Sequence, residues 1–120
     1  MNTFVTAARI LLVLAAGLFV TQPFAMDFVE AAPNQTKVLV DNDKVRVIRA
    51  TFKAGDKVPM HSHPDIVVYI VKSGRVKFTH EDGKVTESNN KVGEVLYRSA
   101  VSHSQEHPEA SEAIVIELKK

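Results

Sequence analysis

Between Lys37 and Leu118 the sequence breaks into short runs rich in Val, Ile, Tyr and Phe, and no stretch sustains helical spacing. Such runs, separated by turn signals, are the signature of an all-β sandwich or barrel. The spacing predicts strands at Lys37–Val40, Val45–Phe52, Val58–His63, Ile66–Val71, Val76–Thr79, Lys84–Glu87, Glu94–Arg98, Ser102–Gln105 and Ala113–Leu118. Several alternate cleanly. Val45, Val47 and Arg49 share one face against Arg46, Ile48 and Ala50, and Ile114, Ile116 and Leu118 oppose Val115 and Glu117. Asp82-Gly83 is a hairpin signal, and Ser73-Gly74, Ala54-Gly55-Asp56 and Ser88-Asn89-Asn90 mark further reversals. There is no internal repeat, no phosphate-cradling glycine loop and no serine or acid pair in a catalytic context.

The amino-terminal part is of another kind. Ile10–Val20 is an unbroken apolar run that includes Gly17, and Arg9 is the one charge in residues 1–25. A positive residue before a short apolar core is the arrangement of a secretory signal peptide. The run is shorter than the roughly 20 apolar residues of a membrane-spanning helix. The expectation is therefore a signal peptide over residues 1–25, with cleavage after Ala25 or as late as Ala31. The protein would be periplasmic or secreted, or membrane-anchored if the leader stays on. Residues 26–36, aperiodic and containing Pro33 and Asn34, read as an N-terminal tether or edge segment before a β-domain over 37–120.

Charge and cysteine content then exclude whole classes. Loss of residues 1–25 removes only Arg9, leaving 14 basic and 14 acidic residues and no net charge. Cleavage after Ala31 also removes Asp27 and Glu30 and leaves a charge of +2. Neither balance suits nucleic acid or an anionic membrane. With no cysteine there is no disulfide framework, no thiolate zinc site and no thiol nucleophile. A chain this short buries only about 60–65% of its unfolded surface. It gains from closed sheet edges, a metal or a partner subunit, which admits a homodimer.

The five histidines carry the chemical information. His61 and His63 are one residue apart in an expected strand, so both rings point to the same face. If the later strand stays regular, His103, Gln105 and His107 also share a face. Neutral imidazole suits divalent zinc, copper, nickel and iron. The alternative for His-x-His alone is a chance pair on a solvent-facing strand, since short motifs match often by accident.

The surroundings of the pair support the first reading. Gly55–Gly74 resembles the first motif of the cupin superfamily: Gly, five residues, His-x-His, three or four residues, Glu, six residues, Gly. Gly55, His61, His63 and Gly74 match, and Val67 stands at the Glu position. The second cupin motif is degenerate here. Gly93 matches, Ser99 replaces Pro, His103 falls one residue early, and His107 occupies the Asn place. The likeness spans Val38 to Leu118, and the wording around Met60-His61-Ser62-His63-Pro64-Asp65 is similar to that of small bacterial cupins.

The resemblance implies a six- to eight-stranded antiparallel jelly-roll β-barrel with a metal inside. His61, His63 and His103 would be its ligands, and the ion a divalent transition metal: Zn, Fe, Mn, Ni or Cu. The lost Glu leaves a neutral three-histidine set, as in tetrahedral catalytic zinc sites with one open position. Asp65 is the nearest acid and would be either a substitute ligand or a turn residue after Pro64. His107 would be an extra ligand or a mouth-lining or surface residue. Val67 and Tyr69 share a face, Val67 as cavity wall and Tyr69 as an additional site residue or a core aromatic with its hydroxyl near the rim. Arg98 would anchor an anionic substrate or lie solvated at a strand end, and His80 ends a hairpin. The function classes left are a metal-dependent enzyme acting on a small molecule, a non-catalytic small-ligand or metal-binding module, and a dry structural barrel.

Overall fold

The computed structural model describes residues 26–120. The leader expected over residues 1–25 lies outside the described residues. Each run expected to be extended forms a strand, shifted by a residue or two at its ends. In chain order these are β1 (Met26–Asp27), the single helical turn α1 (Phe28–Ala31), β2 (Thr36–Asp41), β3 (Val45–Phe52), β4 (Lys57–His63) and β5 (Ile66–Lys72). They continue with β6 (Arg75–His80), β7 (Val85–Asn89), β8 (Val95–Arg98), β9 (Val101–Glu106) and β10 (Ser111–Leu118).

The strands form two five-stranded sheets, ordered β1-β4-β9-β6-β7 and β2-β3-β10-β5-β8. The inner faces of both supply one core: Val58 from the first sheet meets Ile48, Ala50, Phe52, Ile66 and Val115 from the second. In β3 the inward set is Arg46, Ile48, Ala50 and Phe52, one face of the alternation in the sequence. β10 lies in the middle of its sheet, paired without interruption to β3 from Ser111↔Phe52 to Leu118↔Val45.

Two motif glycines have different physical causes. Gly55 turns the chain into β4 at φ +92°, a left-handed conformation that side chains disfavour. Gly74 sits so close to the next turn that a Cβ there would lie 2.3 Å from the Ala110 carbonyl oxygen.

Two expectations need correction. One concerns the strand set; residues 26–36, expected to be a tether or an edge segment, place β1 at the edge of its sheet. The ten described strands exceed the expected six to eight, and the parallel pairing of Met26–Asp27 with β4 makes the set not wholly antiparallel. Asp27 caps α1 by accepting from the Val29 N–H at 3.1 Å, and Phe28 is buried with Ala32 in the core. The second concerns β5. Ile66, Val68 and Ile70 line the interior, which leaves Val67 and Tyr69 on the outer face, Tyr69 42% exposed. The Pro64-Asp65 turn resets the alternation between β4 and β5, so the phase of the histidines does not carry through to Val67.

Candidate metal centre

Strand pairing assembles the centre. His61 and His63 both point inward from β4, and His61 stands in register opposite His103 of β9. One nitrogen from each of these three rings lies within 4.8 Å of the others. The rings meet nearly edge to face, with centroids 4.7 Å (His61–His63), 4.9 Å (His61–His103) and 5.2 Å (His63–His103) apart. All three are buried.

Hydrogen bonding decides which lone pairs face the centre. His61 Nδ1–H donates to the Pro59 carbonyl at 2.8 Å, which leaves the lone pair on Nε2. That atom lies 3.0 Å from His63 Nε2. Behind His63 stands Glu117 of β10, with Oε2 3.5 Å from His63 Nδ1. Neither His63 Nδ1 nor Glu117 Oε2 has a hydrogen-bond partner. The other carboxylate oxygen accepts from Arg46 Nε at 2.5 Å, and Arg46 is also paired with Asp27.

Burial sets the protonation. It pushes His61 down to about 4 against a smaller opposing effect of the Pro59 carbonyl, and the neighbouring His63 adds to the lowering. Burial lowers His103 to about 3, helped by its histidine neighbours His61, His63 and His80. At neutral pH these two rings are uncharged and offer lone pairs. For Glu117 burial acts upward, but His63 and Arg46 outweigh it and hold the carboxyl below its ordinary value.

The donor set fits a divalent transition metal. Two imidazole nitrogens aimed at each other at 3.0 Å, one with its other nitrogen already donating, repel unless a proton or cation lies between them. Three neutral imidazoles are a sufficient ligand set for such an ion, with a position left over.

Beside the cluster the barrel encloses a cavity of about 510 Å³, walled by apolar side chains such as Phe52, Ile70, Phe78 and Val115. A polar chain runs along it. The Ser111 hydroxyl donates to His107 Nδ1 (3.3 Å), His107 Nε2–H donates to Gln105 Oε1 (2.9 Å), and the Gln105 amide nitrogen lies 3.3 Å from His103 Nε2.

The remaining sequence candidates fall outside the cluster. Asp65 is a turn residue whose carboxylate accepts from the Ala100 N–H at 2.8 Å, tying together the turns before β5 and β9. His107 is a buried wall residue, stacked on Phe52 with ring centroids 3.7 Å apart, and belongs neither to the mouth nor to the surface. Arg98 borders the cavity from an exposed strand end, Tyr69 faces out, and His80 lines the cavity while bonding Thr86 Oγ1 at 2.9 Å.

Sequence reasoning missed Phe28, which lies against both His61 and His63, and Glu117 with its partner Arg46. The signal for Glu117 was present in the alternation of β10, where it shares a face with Val115.

No family model matches the sequence, and no curated protein does. Solved structures do. A cupin domain from Bordetella pertussis Tohama I is 26% identical, with TM-score 0.66 over 71% of this chain and 92% of that one. A cupin superfamily protein from Desulfitobacterium hafniense DCB-2 is 18% identical, with TM-score 0.57 over 71% and 76%. An RmlC-like cupin with a double-stranded β-helix fold from Methanocaldococcus jannaschii is also 18% identical, with TM-score 0.56 over 70% and 78%. The last two carry the fold alone. Taken with a His-x-His pair that the barrel turns inward, the shared double-stranded β-helix makes this chain a member of the cupin superfamily.

Proposed function

We propose that this chain is an exported small cupin in which His61, His63 and His103 hold a divalent transition metal (Zn, Fe, Mn, Ni or Cu) and a small molecule binds beside it in the barrel. The observation that carries this reading is the pair of Nε2 atoms facing each other at 3.0 Å within a buried three-histidine group. An ion held there supplies Lewis acidity toward a carbonyl or water. The chain's own residues give the cavity mostly apolar walls and present the Gln105–His107–Ser111 chain to a polar end of the ligand.

The test is elemental analysis of untagged protein made without added metal, beside His61→Ala and His103→Ala. Metal in the parent and little in either variant is the expected result. Equal content in all three would sink the ligand assignment.

A second reading, a non-catalytic binding module, is favoured by the mostly apolar lining of the cavity. A ligand that raises the melting temperature and emerges unchanged supports the module. A product released from the same ligand supports the enzyme.

Export rests on the sequence of residues 1–25. Burial of Phe28 and Ala32 supports cleavage after Ala25, since cleavage after Ala31 removes Phe28 from the core. N-terminal sequencing of the processed protein decides between Met26 and Ala32 as its first residue.

A further inference from the structure

We infer that Glu117 is the positioning residue of the metal centre: clamped by Arg46, its carboxylate holds the His63 ring through Nδ1 and supplies from behind that ring the negative charge missing at Val67. This rests on the metal reading above.

The argument begins with strand register. Arg46, Glu117 and Ile66 form one row across β3, β10 and β5. Residues paired in this way share a face, so the buried Ile66 fixes the row as inward. Glu117 is 3% exposed, yet one of its oxygens has no hydrogen-bond partner. A buried carboxylate oxygen left alone is costly, and such orphans need a physical reason. The orphan faces a second one, His63 Nδ1, at 3.5 Å.

The geometry assigns the two ring nitrogens different tasks. Nδ1 faces Glu117, while Nε2 faces the His61 nitrogen. A ring whose Nδ1–H is directed at a carboxylate is fixed in the tautomer that leaves the Nε2 lone pair free. His61 obtains the same tautomer from the Pro59 carbonyl. Two neighbouring strand histidines are therefore set by two different acceptors, one neutral and one anionic.

Charge points the same way. Asp27, Arg46 and Glu117 form a connected group with one net negative charge beside a neutral ligand set. That charge offsets part of an ion's own without occupying a coordination position. Glu117 is not one of the three converging residues, so it acts through His63.

The test is zinc titration of the full, metal-stripped chain against a competing chelator, comparing the parent with Glu117→Gln. The glutamine keeps an acceptor for Arg46 and removes the charge. A positioning role predicts affinity weakened by about 10–100-fold, the usual effect of losing such a partner. A purely structural role would lower the melting temperature of the metal-free variant and leave affinity within about twofold, which overturns the inference. If the variant does not fold, imidazole ¹⁵N–¹H spectra of the zinc-loaded parent decide. Zinc on His63 Nε2 with a slowly exchanging Nδ1–H is the expected result. Zinc on Nδ1, or an Nδ1–H that exchanges as in free imidazole, overturns the inference. A parent chain that takes up no zinc overturns the metal reading and this one together, whereas equal uptake by parent and variant overturns this one only.

Discussion

Phe28 lies against the face of His61, with ring centroids 4.9 Å apart and planes 26° from parallel. A residue from the first described turn thus forms a wall of a centre whose histidines come from β4 and β9. Phe28→Ala should lower stability by about 3–5 kcal/mol, the usual cost of emptying a buried aromatic site. Urea denaturation checks this. A loss below about 1 kcal/mol would mean that the segment packs on the barrel without supporting it.

Metal binding should be visible as stability. At a free zinc concentration about a hundred times Kd the folded state gains about 2.7 kcal/mol. For a domain of this size that corresponds to a rise in Tm of roughly 10–20 °C. Chelator should reverse the shift, and His61→Ala and His103→Ala should abolish it. A Tm indifferent to zinc in the parent protein contradicts the site.

The metal-free protein should weaken in acid. His61 and His107 are held at about 4 and His103 at about 3 mainly by burial, against an unfolded value of 6.5. Between these values the unfolded chain binds more protons than the folded one. Stability is therefore fully present above pH 6.5 and is lost as pH falls toward 4, by an amount on the order of a few kcal/mol. The urea midpoint measured from pH 7.5 to 4.5 checks the sign. A midpoint that stays flat or rises on acidification contradicts buried neutral rings.

His107 separates wall from ligand. Its replacement by alanine leaves Gln105 Oε1 without its donor and opens space against Phe52. The expected loss is about 2 kcal/mol of stability, from an unpaired buried acceptor and lost packing. Zinc stoichiometry should not change. Loss of the metal with the fold intact would return His107 to the ligand set.

How much of this was legible in the sequence follows from what alternation encodes. Period two marks a strand and splits its residues into two faces, so β3 could be read to the residue from Val45 to Phe52. It does not say which face is inside. In β10 the more apolar set, Ile114, Ile116 and Leu118, stays partly accessible, while Val115 and Glu117 are buried. The inward choice is made by Arg46, whose guanidinium meets the Glu117 carboxylate across β3 and β10. That pairing depends on residues far apart in the chain, and local pattern does not contain it. Val67 fails for a related reason, because face parity cannot be counted through the Pro64-Asp65 turn. Phe28 was obscured because a two-residue strand and a single helical turn are too short to show a period.

The central place of β10 also governs when the protein can fold. β10, the last of the described strands, is the one that β3 and β5 both pair with, so that sheet has no middle until β10 has been made. Pairings this distant in sequence are slow to close, since chain entropy is lost before any contact rewards it. Removal of residues from β10 accordingly does more harm than their number suggests.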